Sequence, residues 1–141
     1  MDSNILIYAS RSESPFHEAA RRAVRSLAEG EDSWAIPWPC VYEFLRNVTH
    51  SGIYMRPTPL AEALSEMAEL CDSPAVQLIG ATADHRHSFF STVAKAVATA
   101  NVVYDASIAA ICIEHRVSEL WTVNTRHFDR FNGLKVHNPL V

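Results

Sequence analysis

The sequence predicts an α/β fold in which a short parallel sheet is covered by helices on both faces. Segments with apolar residues at helical spacing alternate with short apolar runs that are typical of buried strands. Pro and Gly stand singly where these segments end, and no repeat or linker is visible. A chain of 141 residues with 48% hydrophobic residues has the size and composition of one domain with its own core. We therefore expect a single domain over residues 1–141.

The individual elements follow from apolar spacing and from the residues at segment ends. Helices are predicted at residues 4–9, 15–30, 41–48, 58–71, 82–100 and 105–112. Strands are predicted at residues 34–36, 76–79, 119–123 and 134–136, with a turn or short helix at 126–131. In a parallel sheet of this kind, functional residues gather beyond the carboxyl ends of the strands.

Composition narrows the function classes. No apolar run approaches the roughly 20 residues needed to cross a bilayer, and no secretion signal is visible. The three cysteines, Cys40, Cys71 and Cys112, are widely spaced and include no CxxC pair, which favours a reduced, cytoplasmic protein with buried thiols. The net charge of −4 argues against binding of nucleic acid through overall charge, so any activity on nucleic acid must come from a local feature.

Three acids stand out by their positions. Asp2 directly precedes an apolar helix, Glu43 interrupts the apolar side of another, and Asp105 begins a third after the β-rich Val102, Val103 and Tyr104. Taken singly, each is equally read as a helix cap or an exposed acid. If they converge, their charges raise one another's pKa unless a cation compensates. Mg²⁺ and Mn²⁺ prefer oxygen ligands and supply that compensation.

Four blocks of sequence resemble a known family, in the family's order. These blocks are DSNILIYA, WAIPWPCVYEFLRNVTH, NVVYDASIAAICIEH and ELWTVNTRHFDRFNGLKVHNPL. Together they are similar to PIN-domain ribonucleases, specifically the VapC toxins of bacterial toxin–antitoxin pairs. The resemblance runs from Asp2 to Leu140, with a more generic middle between residues 57 and 100.

The resemblance implies a three-layer α/β/α fold and a metal-dependent endoribonuclease that uses Mg²⁺ or Mn²⁺. It also implies masking by a VapB-like antitoxin and often a homodimer. The family's three acids fall on Asp2, Glu43 and Asp105. Asn4 matches the polar residue two positions after the first acid, and Thr122 matches the Thr or Ser at the end of the fourth strand.

Two departures from the family pattern bear on activity. Where relatives read T-x-D-x-D-F, Asn124 takes the place of the fourth acid and His127 takes the next acidic position. A neutral amide offers an oxygen but no charge, so we expect a second metal to bind more weakly. Only Met1 precedes Asp2 here, so the family's first strand should be short or absent. Either Asp2 is held less firmly than in relatives, or the natural start lies upstream of Met1.

The sequence also offers residues that would hold RNA. Candidates for phosphate contacts are Arg46, one turn after Glu43, and Arg126 and Arg130. Asn124 and His127 are candidates for positioning water or substrate. The same arginines fit ion pairs with neighbouring acids equally well. The principal alternative function is a degenerate PIN domain that binds RNA or a protein partner without cleaving, because the fourth carboxylate is missing.

Overall fold

The computed structural model describes residues 1–141 as helices alternating with short strands. The helices are α1 (Ser3–Ser10), α2 (His17–Ala28), α3 (Trp38–Val48), α4 (Leu60–Cys71), α5 (His85–Ala96), α6 (Val102–Glu114) and α7 (Thr125–Phe128). The strands are β1 (Trp34–Pro37), β2 (Val76–Ile79), β3 (Leu120–Trp121) and β4 (Val136–His137). None of these helices combines the length and hydropathy that a membrane crossing requires.

The strands form two parallel pairs. In the first pair, β1 lies beside β2 with Trp34 opposite Val76. In the second, β3 lies beside β4 with Leu120 opposite Val136. The helices between the strands provide the crossovers that parallel pairing requires. The predicted α/β class with parallel strands is therefore confirmed.

The first two residues lie between the two pairs. The Met1 ammonium donates to the Ala35 carbonyl oxygen of β1 at 2.6 Å, and the Asp2 amide donates to the Trp121 carbonyl oxygen of β3 at 2.9 Å. No strand is formed before α1, as expected from the single residue that precedes Asp2. This arrangement places Asp2 at the carboxyl end of β3 and at the start of α1.

Fully buried apolar side chains come from the helices and strands around this junction. They are Ile5 of α1, Ile36 of β1, Val48 of α3, Ile108 of α6, Leu120 of β3 and Phe128 of α7. Burial of a side chain of this size contributes roughly 1.5–3 kcal/mol, so the core fixes the elements that carry the acids.

Several predicted boundaries were wrong. Helix α5 ends at Ala96 rather than at residue 100, and strands β3 and β4 have two residues each. Helix α2 begins at His17, and Pro15 lies in the turn before it. Val102, Val103 and Tyr104 form the first turn of α6, although the sequence read as β-rich there. Propensity is a weak preference, and packing of α6 into the core outweighs the modest cost of two β-branched residues in a helix.

Candidate metal centre

Asp2 is a buried carboxylate whose two oxygens are surrounded by donors. Its side chain caps α1, with Oδ1 accepting from the Ser3 amide at 2.7 Å. Oδ1 also lies 3.8 Å from Cys40 Sγ. Oδ2 accepts from Thr122 Oγ1 at 2.6 Å and from Asn4 Nδ2 at 2.9 Å. A carboxylate offers about four lone-pair sites, and these contacts from both sides fix the orientation of Asp2.

Glu43 reaches Asp2 through a hydroxyl. Ser3 Oγ lies 2.6 Å from Glu43 Oε2 and 3.3 Å from Asp2 Oδ1. A serine hydroxyl has one proton to donate, and the shorter distance assigns it to Glu43. Ser3 therefore joins the two carboxylates, with its amide donating to Asp2 and its hydroxyl to Glu43, although they are 41 positions apart in the chain.

One ligand atom from each of Asp2, Cys40 and Glu43 lies within 4.8 Å of the others. Asp2 and Cys40 are buried, whereas Glu43 is exposed, so the group opens to solvent on the Glu43 side. Two carboxylates at this separation suit a divalent cation with oxygen ligands. The two carboxylates therefore fit the Mg²⁺ or Mn²⁺ expected from the sequence.

Asp105 lies near Asp2, Cys40 and Glu43 but does not belong to the group whose ligand atoms lie within 4.8 Å of one another. It projects from the first turn of α6, and its Oδ2 is 3.4 Å from His127 Nδ1. Partial burial raises the pKa of Asp105, the neighbouring His127 opposes that rise, and the charge of Asp2 adds to it. Asp105 thus shares the electrostatic field of Asp2 while it contacts the imidazole directly.

The pKa of Glu43 shows that the acids repel one another. Partial burial raises this pKa, the Ser3 hydrogen bond lowers it, and the charges of Asp2 and Asp105 raise it further. Like charges disfavour ionisation of each other unless a cation compensates. The three acids from separate parts of the chain therefore meet in one negative field, as a divalent-ion site requires.

Thr122 and Asn4 hold Asp2 from the side of β3. Thr122 is fully buried, and its hydroxyl accepts from Asn4 Nδ2 and from the Asn124 amide, each at 3.0 Å. Asn124 itself is exposed, and its side chain forms no capping hydrogen bond. Its backbone supports Thr122, but its side-chain amide does not meet the acids.

Two of the predicted basic residues, Arg46 and Arg130, act on the acids through their charges. The positive charge of Arg46 lowers the pKa of Glu43, and that of Arg130 lowers the pKa of Asp105, so both guanidinium groups are near the acids. Arg126 is exposed and forms no salt bridge. The positive charges of Arg46 and Arg130 reduce the negative potential around Glu43 and Asp105, where a polyanion would approach.

Sequence reasoning missed two residues of the centre. The sequence analysis assigns no role to Ser3 and treats Cys40 only as one of three buried thiols. The burial of Cys40 was right, since it is 0% exposed. Its three-residue spacing from Glu43 on α3 places both on one helix face, which was the available signal.

The parallel α/β topology places Asp2 at the carboxyl end of β3 and beside Glu43 of α3, the helix that follows β1. Residues 1–134 match the family model of the PIN domain, and the chain belongs to that family. The resemblance to this family seen in the sequence is therefore confirmed.

Individual relatives narrow the class further. The chain is 29% identical over 139 residues to Ribonuclease VapC37 of Mycobacterium tuberculosis (strain ATCC 25618 / H37Rv), covering 99% of this chain and 95% of that protein. It is 27% identical over 139 residues to Ribonuclease VapC48 of the same strain, covering 98% and 94%. Among solved structures, VapBC2 from Rickettsia felis bound to a promoter DNA fragment matches with a TM-score of 0.70 at 18% identity, covering 96% of this chain and 94% of that one. That structural match shows the shared fold.

Proposed function

We propose that this protein is a metal-dependent endoribonuclease, the toxin of a type II toxin–antitoxin pair, that hydrolyses phosphodiester bonds in RNA. The observation that carries the proposal is the meeting of Asp2 and Glu43 beside Asp105 in a PIN-family chain. Relatives that cover nearly the whole chain are named VapC ribonucleases, which supports the same activity here.

Asp2, Glu43 and Asp105 would hold Mg²⁺ or Mn²⁺. Such an ion, when bound, lowers the pKa of a coordinated water and polarises a phosphate. The donors around Asp2 keep its carboxylate in one orientation, which is the pre-organisation that a metal centre needs. Asp2, Glu43, Asp105 and Asn124 form the proposed catalytic set, in which the exposed Asn124 side chain would orient water or substrate.

The remaining predicted residues have supporting places around this set. Arg46 and Arg126 are exposed and would contact RNA phosphates, since guanidinium groups suit forked phosphate contacts. His127 contacts Asp105 and would fix the orientation of that carboxylate. Asn4 and Thr122 hold Asp2, as their hydrogen bonds indicate.

The same proposal includes partners. VapC proteins are named as ribonucleases among the relatives, and a solved VapBC assembly shares the fold, which supports a VapB-like antitoxin as partner. We further propose that residues 1–141 act as one PIN domain, that the toxin forms a homodimer, and that it works in the cytoplasm.

The test is cleavage of RNA by the antitoxin-free protein with Mn²⁺ or Mg²⁺, beside Asp105→Asn. We expect the parent to release RNA fragments and the variant to cleave at least about 100-fold more slowly. Even the loss of a residue that only hydrogen-bonds to a metal ligand lowers metal affinity or activity by 10–100-fold. Asp72→Asn is the matched control, since Asp72 is an exposed carboxylate that follows α4. It should cleave like the parent.

Sequencing the ends of the fragments would identify the RNA target in the same experiment. RNA that binds to parent and Asp105→Asn alike, with no cleavage by either in the presence of Mn²⁺, would instead establish a degenerate PIN domain.

A further inference from the structure

Cys40 lies against the proposed metal centre. It is fully buried on α3, and its Sγ is 3.8 Å from Asp2 Oδ1. The thiol therefore donates to the carboxylate that the centre depends on.

The spacing of these two atoms suits a single ion between them. Zinc binds a thiolate sulfur at about 2.3 Å and a carboxylate oxygen at about 2.0 Å, so the two ligand atoms lie roughly 3.5 Å apart in a tetrahedral site and at most about 4.3 Å apart. The observed 3.8 Å falls within that interval. Glu43 supplies a third ligand atom within 4.8 Å of both.

The hydrogen bonds of Asp2 favour the same position. Its four donors are two amides, a hydroxyl and the Cys40 thiol, and a thiol is the weakest donor of the four. An ion that takes the place of the thiol proton disrupts the least favourable contact and leaves the other three intact. The released proton passes to solvent.

We infer that Asp2, Cys40 and Glu43 form a mixed oxygen and sulfur site that binds a thiophilic divalent ion such as Zn²⁺ or Cd²⁺ in competition with Mg²⁺ or Mn²⁺. Soft thiolate ligands select zinc-like ions, whereas Mg²⁺ and Mn²⁺ favour oxygen. Retention of such an ion by sulfur would inhibit RNA cleavage, and this consequence rests on the proposed function. The binding of the ion does not depend on the proposed function.

Cd²⁺ titration tests the site, because a cadmium–thiolate bond absorbs in the ultraviolet. The protein is Cys71→Ser combined with Cys112→Ala, which leaves Cys40 as the single thiol. We expect the absorption band to saturate at one equivalent of Cd²⁺ and to disappear when Cys40→Ser is added. Excess Mn²⁺ should reduce the band, because the two ions share Asp2 and Glu43.

A second variant guards against loss of folding at the buried Cys40. Glu43→Gln changes an exposed side chain and keeps the thiol. It should weaken Cd²⁺ binding by about 10-fold or more, as is typical when a residue around a metal ion is replaced. No band in the folded single-thiol protein, or a band that survives Cys40→Ser, would overturn the inference. So would Cd²⁺ affinity unchanged in Glu43→Gln.

Failure of this inference is separable from failure of the proposed function. Cleavage of RNA with Mn²⁺, together with no cadmium band, rejects the sulfur site alone. A cadmium band in a protein that cleaves no RNA with Mn²⁺ or Mg²⁺ rejects the ribonuclease and retains the mixed site.

Discussion

At the scale of single residues, the centre depends on how one carboxylate is held. Asp2 is 4% exposed, and its negative charge is balanced by short hydrogen bonds rather than by a salt bridge. A buried charge is costly unless it is hydrogen-bonded. The donors around Asp2 therefore serve the stability of the fold as well as the geometry of the site.

Thr122→Val removes one of these donors while it keeps the side-chain shape. We expect a loss of about 1.5–3 kcal/mol in the free energy of unfolding, because the hydrogen bond goes to a charged group. Urea unfolding followed by circular dichroism measures this loss. Thr92→Val is the control, since Thr92 is half-buried and donates only to the Ser88 carbonyl of its own helix. Equal losses in the two variants would contradict the assigned role of Thr122.

Glu43 gives a pH prediction for the metal-free protein. Its pKa is raised in the folded state by partial burial and by Asp2 and Asp105, with Ser3 opposing. The stability gained from protonated Glu43 is complete below the ordinary pKa of 4.5 and is lost as pH rises through the raised value. Metal-free Glu43→Gln should thus be more stable than the parent at pH 7, by less than about 1 kcal/mol because solvent screens the group.

Chemical denaturation of parent and Glu43→Gln at pH 7 and pH 4, with a chelator present, checks this prediction. The difference between them should shrink at pH 4. Glu62→Gln, at an exposed position of α4, should show no difference at either pH. A parent more stable than Glu43→Gln at pH 7 would reverse the predicted sign.

At the scale of elements, a buried acid joins the last turn of α6 to the start of α5. The Glu114 side chain is 4% exposed and accepts from the Thr82 amide at 3.0 Å, from the Thr82 hydroxyl at 2.8 Å and from His85 Nδ1 at 2.7 Å. Because α6 also carries Asp105 in its first turn, this junction helps to fix the helix on which the centre depends.

Glu114→Ala leaves the Thr82 and His85 donors without their acceptor. We expect a loss of about 1–3 kcal/mol in unfolding free energy at pH 7. Burial opposes ionisation of Glu114, but the hydrogen bonds from Thr82 and His85 prevail and lower its pKa below 4.5. Its contribution is therefore present above pH 4.5 and lost as pH falls through the lowered value.

Unfolding curves for the parent and Glu114→Ala between pH 7 and pH 3 measure this contribution. Their stabilities should converge at the acid end of the range. Glu69→Ala, an exposed position on α4, should differ from the parent by less than about 0.5 kcal/mol throughout.

At the scale of the whole molecule, the chain carries a net charge of −4, and three of its 16 acids, Asp2, Glu43 and Asp105, act on one another through their charges. A ligand that binds only the folded state stabilises it by mass action. A divalent cation at the centre should therefore stabilise the entire fold, because Asp2, Glu43 and Asp105 come from three different helices or helix starts.

Addition of Mn²⁺ at 100 times its dissociation constant should raise the unfolding free energy by about 2.7 kcal/mol. A thermal melt with and without Mn²⁺ measures the shift, and a chelator should reverse it. Asp105→Asn should show a smaller shift at the same Mn²⁺ concentration, whereas Asp72→Asn should match the parent. Equal shifts in all three proteins would place Mn²⁺ elsewhere on the molecule.

Local patterns in the sequence predicted much of this molecule. The four-residue strand β2 and the apolar stripes of α3 and α4 follow from spacing that any apolar core would enforce. Helix ends were less predictable, because Val102 and Val103 favour strands locally and are held in α6 by tertiary packing. The backbone amide of Asn124 donates to Thr122, and the role of its side chain stays a prediction.

The sequence by itself determined the alternation of helices and strands, the apolar core and the identity of three acids that match a family pattern. Only the tertiary structure decided that Ser3 joins Asp2 to Glu43 and that Cys40 lies against the same carboxylate. The physical reason is that periodicity records which face of an element is buried, whereas the approach of side chains 38 or more positions apart depends on how the elements pack.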